Sequence, residues 1–135
     1  MLEKFYSKNS LLQQIEEGQE FYKIMDQEFL CGFISISRKS GAEYFLHKFY
    51  ILPEQHGKNT GTKVMNIISD MMMSREKLKL INIRLTVNRQ NYKAINFYFK
   101  NDFTIEKAED FDIGNNLFMT DFVMLRKLRT PDYHS

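Results

Sequence analysis

The sequence predicts a single α/β domain built on a mixed, mostly antiparallel sheet flanked by helices. Two observations carry this. Runs rich in aromatic and β-branched residues alternate with short polar turns over residues 21–52, and two later segments repeat their apolar residues at helical spacing. A third concerns connectivity: residues 43–87 form one strand-helix-strand crossover, which makes its two strands parallel in an otherwise antiparallel sheet. The 135 residues suffice for one core, and 43% apolar with 27% charged residues is an ordinary globular balance.

Ser7 and Ser10 are candidate N-caps, Ser10 with Gln13 three residues on, and Leu11, Leu12 and Ile15 mark one face until Gly18. A short amphipathic helix is expected over residues 8–17. Strands follow at residues 21–25 and 30–38 around the turn Asp26-Gln27-Glu28, and at 43–52 after Lys39-Ser40-Gly41. Pro53 ends the third strand. Residues 62–77 carry Val64, Ile67, Ile68, Met71 and Met72 at helical spacing, a face packed on a sheet with methionine as core filler. Ile81, Ile83, Leu85 and Val87 alternate with polar residues in a strand at 80–87. A second helix is expected at 91–101 and two last strands at 103–108 and 117–127, separated by a loop at 109–116. The tail, residues 129–135, reads as frayed.

Composition narrows the function. The formal charge of +2 comes from 19 basic and 17 acidic residues spread along the chain, which offers no footprint for nucleic acid. Cys31 cannot form an internal disulfide and sits in an apolar run, as a small core residue would. The N-terminus, MLEKFYSKNS, lacks the long apolar stretch of a signal peptide and no later segment approaches the length of a membrane span, so a cytoplasmic protein without membrane contact is expected. No metal is expected either.

The most informative segment lies between strand and helix: Pro53-Glu54-Gln55-His56-Gly57-Lys58-Asn59-Thr60-Gly61-Thr62. A helix N-terminus presents unpaired N–H groups and the positive end of a dipole, and glycines admit an anion close to the backbone. A pyrophosphate fits such a place, and so does a plain turn. The spacing is neither a Walker loop nor a dinucleotide fingerprint.

This stretch resembles the acyl-CoA loop of the GNAT acetyltransferase superfamily, Arg/Gln-x-x-Gly-x-Gly/Ala, with His56 at the Arg/Gln position, Asn59 at the first glycine and Gly61 at the last. Asn is the residue other than Gly that best tolerates the left-handed region, so Asn59 can keep the backbone path. Residues 87–103, VNRQNYKAINFYFKNDF, resemble the family's second signature, Asn-x-x-Ala-x-x-Phe-Tyr-x-x-x-Gly-Phe, at Asn91, Ala94, Phe97, Tyr98 and Phe103. Asp102 replaces its glycine, in a role at a helix C-terminus that Asn or Asp also fills.

The resemblance implies a GNAT fold and transfer of an acetyl group from acetyl-CoA to an amine, by direct attack in a ternary complex. It implies that the strand ending at Leu52 splays from the strand at 80–87, freeing backbone donors near Tyr50, Ile51 and Leu52 for the pantetheine and the thioester carbonyl. His56, Gly57, Lys58, Asn59, Thr60, Gly61 and Thr62 would hold the pyrophosphate, Asn91 would contact the coenzyme, and Tyr98 would protonate the departing thiolate. A phenol with an ordinary pKa of about 10 stays protonated at neutral pH and suits that task.

No residue declares itself as the base that deprotonates the amine. His47 titrates in the useful range, although a lone strand histidine is commonly structural. Glu109, Asp110, Asp112 and Asp121, with Phe111, Phe118 and Met119, suit an aliphatic cation or form a plain solvated loop. The acceptor is then a small-molecule amine, a polyamine among them, or a peptide. GNAT domains also usually begin with a strand and a helix for which this chain starts too late. Either the true start lies upstream, or the sheet is completed by a partner or left with a bare edge, and an unprotected edge favours a homodimer. The alternative function is an inactive acyl-CoA-binding domain acting as sensor or interaction module.

Overall fold

The computed structural model describes residues 2–4, 18–76 and 80–129, and the helix expected at 8–17 lies outside them. Seven strands among the described residues form one sheet: β1 (Leu2–Lys4), β2 (Gln19–Asp26), β3 (Phe29–Ser40), β4 (Glu43–Ile51), β5 (Leu80–Asn88), β6 (Thr104–Gly114) and β7 (Leu117–Arg129). Their order is β1-β2-β3-β4-β5-β7-β6. Helix α1 (Thr60–Arg75) makes the crossover from β4 to β5, and α2 (Tyr92–Lys100) links β5 to β6. Only the β4–β5 pair is parallel, as the crossover requires.

The alternation read in residues 80–87 is realised: Ile81, Ile83, Leu85 and Val87 are buried. They meet Val64, Met65, Ile68 and Met72 of α1, and Cys31, Ile34, Ile36 and Leu46 of the neighbouring strands, in one apolar core. Cys31 is thus a core residue. At the far end of α1, buried Tyr44 donates its phenol to Glu76 at 2.6 Å and Arg38 pairs with the same carboxylate, so the helix end has its own anchor.

Two expectations are corrected. A first strand exists, since Leu2–Lys4 pairs antiparallel with β2, and three residues are too few for an alternation pattern to declare. The edge on which the homodimer was expected is therefore partly covered. At the opposite edge, β6 carries Lys107, Glu109 and a bulge at Glu106, features that discourage edge pairing. The loop expected at 109–116 is also a hairpin, with Gly114 paired to Leu117 across Asn115-Asn116. Both asparagines have positive φ, 53° and 60°, as a two-residue turn twisted to match its strands requires.

The feature that positions the site is a split in the sheet. β4 pairs with β5 only through Glu43↔Asn82, Tyr44↔Ile83 and Phe45↔Arg84, whereas it stays paired with β3 as far as Ile51↔Gly32. Between Ser35↔Lys48 and Ile36↔Leu46 the residue His47 is extra, a β-bulge two positions beyond the last parallel pair. A bulge bends its strand and strengthens its twist, which turns β4 away from β5 where the two separate. Beyond that point β5 pairs with β7 alone.

Candidate functional site

The split opens into a groove of about 490 Å³ between the end of β4, the first turn of α1 and one face of α2 along its length. Alternation along β4 decides which backbone groups face it. The Leu52 N–H donates to the Cys31 carbonyl at 2.7 Å, so Leu52 faces β3, and Ile51, one residue earlier, turns its N–H and C=O toward the space β5 has left. Leu52 is therefore not among the free donors. Gly32 lets β3 close on this strand end: a Cβ there would stand 2.0 Å from the Tyr50 carbonyl oxygen.

Pro53–Gln55 forms a 3₁₀ turn and leads to Gly57 and Asn59, both left-handed, at φ 81° and 59°. Asn59 holds the position of the family's first glycine with the backbone that glycine would adopt. Its carbonyl accepts from the Lys63 N–H, which starts α1, but its side chain caps nothing. The N–H groups of Thr60, Gly61 and Thr62 thus begin a 16-residue helix with no side-chain acceptor from the cap residue. An anion on this face would meet them and the helix dipole together. Gly61 answers to packing, since a Cβ on it would stand 2.8 Å from the Phe97 ring, which lies 5.6 Å from Phe49 between centroids.

Helix α2 is closed at both ends. Asn91 accepts the Ala94 N–H at 3.2 Å as N-cap. At the other end Asp102 is left-handed at φ 69°, its N–H reaches the Phe99 carbonyl, and the Phe103 N–H reaches that of Tyr98 at 3.0 Å. This is a Schellman ending, with the Phe103 and Tyr98 rings edge to face at 5.5 Å as its apolar contact. Asp102 thus does what the family's glycine does. Tyr98 lines the groove, and burial pushes its phenol up to about 12, so it stays protonated throughout the neutral range. Its oxygen has no hydrogen-bond partner among the described residues.

Of the residues expected at the site, Tyr50, Ile51, His56, Gly57, Asn59, Thr60, Gly61, Thr62, Asn91 and Tyr98 line the groove, and Lys58 and Leu52 do not. His47 does not line it either. Its Nε2 sits 2.7 Å from the Ser37 hydroxyl, its ring lies 4.9 Å from that of Phe45, and burial with the charges of Lys39 and Lys48 lowers its pKa. The bulge explains its place in the strand without a catalytic role. The groove also takes in Lys93 and Lys100 of α2 and Asn101 at its C-terminal cap. Nothing in the sequence separates these lysines from others on a helix surface, apart from the spacing of seven that brings 93 and 100 to one face.

The acidic residues of the hairpin divide as clearly. Glu109 pairs with Lys107 at 2.7 Å, Asp110 accepts from the Thr120 hydroxyl, and Asp112 accepts the Gly114 N–H at 2.8 Å. Asp121, on β7 between Asn88 of β5 and Glu109 of β6, has a buried Oδ1 without a hydrogen-bond partner among the described residues. No group of three or more potential metal ligands occurs among the described residues, and none of their helices is long and apolar enough to cross a membrane.

A split sheet with an uncapped helix N-terminus at the split, and a protonated phenol on the facing helix, defines the acyltransferase class that the two motifs anticipate. The chain belongs to the acetyltransferase (GNAT) domain family, which matches residues 1–121. It is 29% identical over 127 residues to the spermidine N(1)-acetyltransferase of Thermoplasma acidophilum, covering 90% of this chain and 71% of that protein. The structure superposes on the PaiA N-acetyltransferase of Thermoplasma acidophilum in complex with coenzyme A, with a TM-score of 0.64 and 26% identity over 87% of this chain. The match spans 66% of that chain, just under two thirds. A chimera built on the spermidine N-acetyltransferase of Vibrio cholerae shares the fold, with a TM-score of 0.71 at 20% identity over 92% of this chain and 78% of the other.

Proposed function

We propose that this protein transfers an acetyl group from acetyl-CoA to a primary amine by direct attack in a ternary complex. The observation that carries the reading is the pairing of the split strand end with the bare start of α1 on one groove. The α1 N–H groups suit a pyrophosphate and the Ile51 N–H a thioester carbonyl, donors of two kinds that a coenzyme thioester needs together. Lys93 and Lys100 add positive charge to the same groove. Tyr98 suits the thiolate leaving group, as a phenol that keeps its proton until one is required.

For the acceptor, Asp121 supports an amine. A buried carboxylate oxygen without a donor is costly, and an alkylammonium would supply both charge and N–H groups. Strand register puts Asp121 beside Asn88 at the free end of β5, one strand from the gap. The named acceptors of the polyamine acetyltransferase relatives point the same way. The test is calorimetry with acetyl-CoA, followed by turnover over polyamines, amino acids and peptides. Saturable binding and turnover of an amine are expected, and Asp121→Asn should raise the amine KM at least about tenfold, the scale of a charged hydrogen bond lost, while the acetyl-CoA KM holds. Absence of acetyl-CoA binding would overturn the whole reading, and an unchanged amine KM would remove Asp121 from it.

A further inference from the structure

The family's loop places an arginine or glutamine where this chain has His56, a residue expected to face the phosphates. Here the ring folds back on the end of β4. The 3₁₀ turn, closed by Gln55 N–H to Leu52 C=O at 2.9 Å and His56 N–H to Pro53 C=O at 3.1 Å, brings the imidazole back to β4. Its Nε2 lies 2.8 Å from the Ile51 carbonyl oxygen. A carbonyl only accepts, so Nε2 carries the hydrogen, which leaves Nδ1 of the neutral ring as an acceptor. Lys93 Nζ stands 3.5 Å from Nδ1 and is a donor. One ring thus bridges the strand end and the first turn of α2.

Ile51 is the residue whose peptide groups face the space β5 has vacated. Its carbonyl would have no strand partner, and His56 supplies one. From the other side Gly32 lets β3 hold the Tyr50 carbonyl at close range. The strand end is therefore fixed on both edges, and the Ile51 N–H, on the same side of the chain as its carbonyl, is held toward the groove.

We propose that His56 is a positioning residue for acyl transfer: its Nε2–H replaces the missing strand partner of Ile51, aims the Ile51 N–H at the thioester carbonyl, and turns Lys93 into the groove. This rests on the acyltransferase reading. It differs from a phosphate-contact role in a measurable way. A group that only holds phosphate contributes equally to ground and transition states and moves KM, whereas one that aims an oxyanion donor moves kcat.

The experiment compares wild type, His56→Ala and His56→Gln with acetyl-CoA and whichever amine is turned over. His56 is exposed, so both variants should melt within a few degrees of wild type. His56→Ala should lose at least about tenfold in kcat with acetyl-CoA KM changed less than about threefold, since even complete loss of an oxyanion donor costs about a hundredfold to a thousandfold. His56→Gln, whose amide N–H reaches as far as Nε2, should recover most of that loss. A raised acetyl-CoA KM with kcat unchanged in His56→Ala would overturn the proposal, as would a glutamine variant no better than alanine. Wild type that fails to bind acetyl-CoA in calorimetry would instead overturn the acyltransferase reading on which it stands.

Discussion

Both helices begin on the groove, but α2 closes its own first turn with the Asn91 side chain, whereas α1 enters through a left-handed Asn59 that caps nothing. The contrast extends to what each helix carries. α2 is short, capped at its start and ended by a Schellman motif, and it presents one protonated phenol at a fixed place. α1 is long, anchored at its far end by Glu76 and Tyr44, and its near end is a row of donors. A capped end spends its hydrogen bonds on rigidity, worth about 1 kcal/mol, and an uncapped end keeps them for a ligand. On the function proposed above, the two helices divide the work: one holds a group still, and the other would hold a molecule.

The largest effect should come from the rigid helix. Tyr98→Phe keeps the ring that packs on Phe97 and Phe103 and removes a hydroxyl that has no partner among the described residues, so the thermal midpoint and acetyl-CoA affinity should hardly move. Turnover should fall at least about tenfold, because general acid catalysis contributes about a hundredfold to ten-thousandfold. The deficit should shrink as pH approaches the thiol value of about 8.5, taking cysteine as the model, where the thiolate leaves without a proton. Burial raises the Tyr98 phenol from 10 to about 12. Its contribution to stability is therefore complete below pH 10 and is lost as pH rises through 12, well clear of the assay range. Wild-type turnover in Tyr98→Phe would take the residue out of the mechanism.

A middle-sized effect separates cap from ligand contact at Asn91. Asn91→Ala should cost about 1 kcal/mol of stability, near 4 °C in a chain of this size, by exposing the Ala94 N–H. Asn91→Asp keeps the acceptor and suits the helix dipole, so stability should hold while acetyl-CoA binds more weakly beside a new negative charge. Full stability in the alanine variant would show that the cap contributes nothing. Unchanged affinity in the aspartate variant would place the coenzyme away from α2.

The difference between the helices was partly legible in the sequence. The strand-helix crossover, the alternation of 80–87 and the positions of Asn59, Asp102 and Tyr98 follow from periodicity, left-handed tolerance and the two motifs, because these depend on residues close in sequence. Three features depended on strands meeting from afar. The bulge at His47 exists only relative to β3, so the residue reads as a candidate base until its register is known. The orientation of Leu52 away from the groove depends on Cys31, and the inward turn of His56 depends on a carbonyl five residues back with no partner on β5. The hairpin at Asn115-Asn116 did carry a local signal, but its many acidic neighbours read equally as a solvated loop.

The smallest effect tests whether the start of α1 is bare for a reason. At φ 59° and ψ 18°, Asn59 occupies the left-handed well, where a side chain costs most residues about 1 kcal/mol or more and asparagine less. Asn59→Gly removes that cost in the folded protein and adds freedom to the unfolded chain, two terms of opposite sign, so stability should stay within about 1 kcal/mol of wild type. Acetyl-CoA affinity should be equal or a few-fold tighter, because the Cβ beside the loop is gone while the Thr60, Gly61 and Thr62 N–H groups are unmoved. Asn59→Ala should do the reverse, keeping a Cβ without asparagine's tolerance for this backbone, and should weaken both stability and binding. Calorimetry on the pair decides the matter. A large loss of affinity in Asn59→Gly would mean that the asparagine side chain itself holds the ligand, and that α1 begins with a contact where a row of free donors has been inferred.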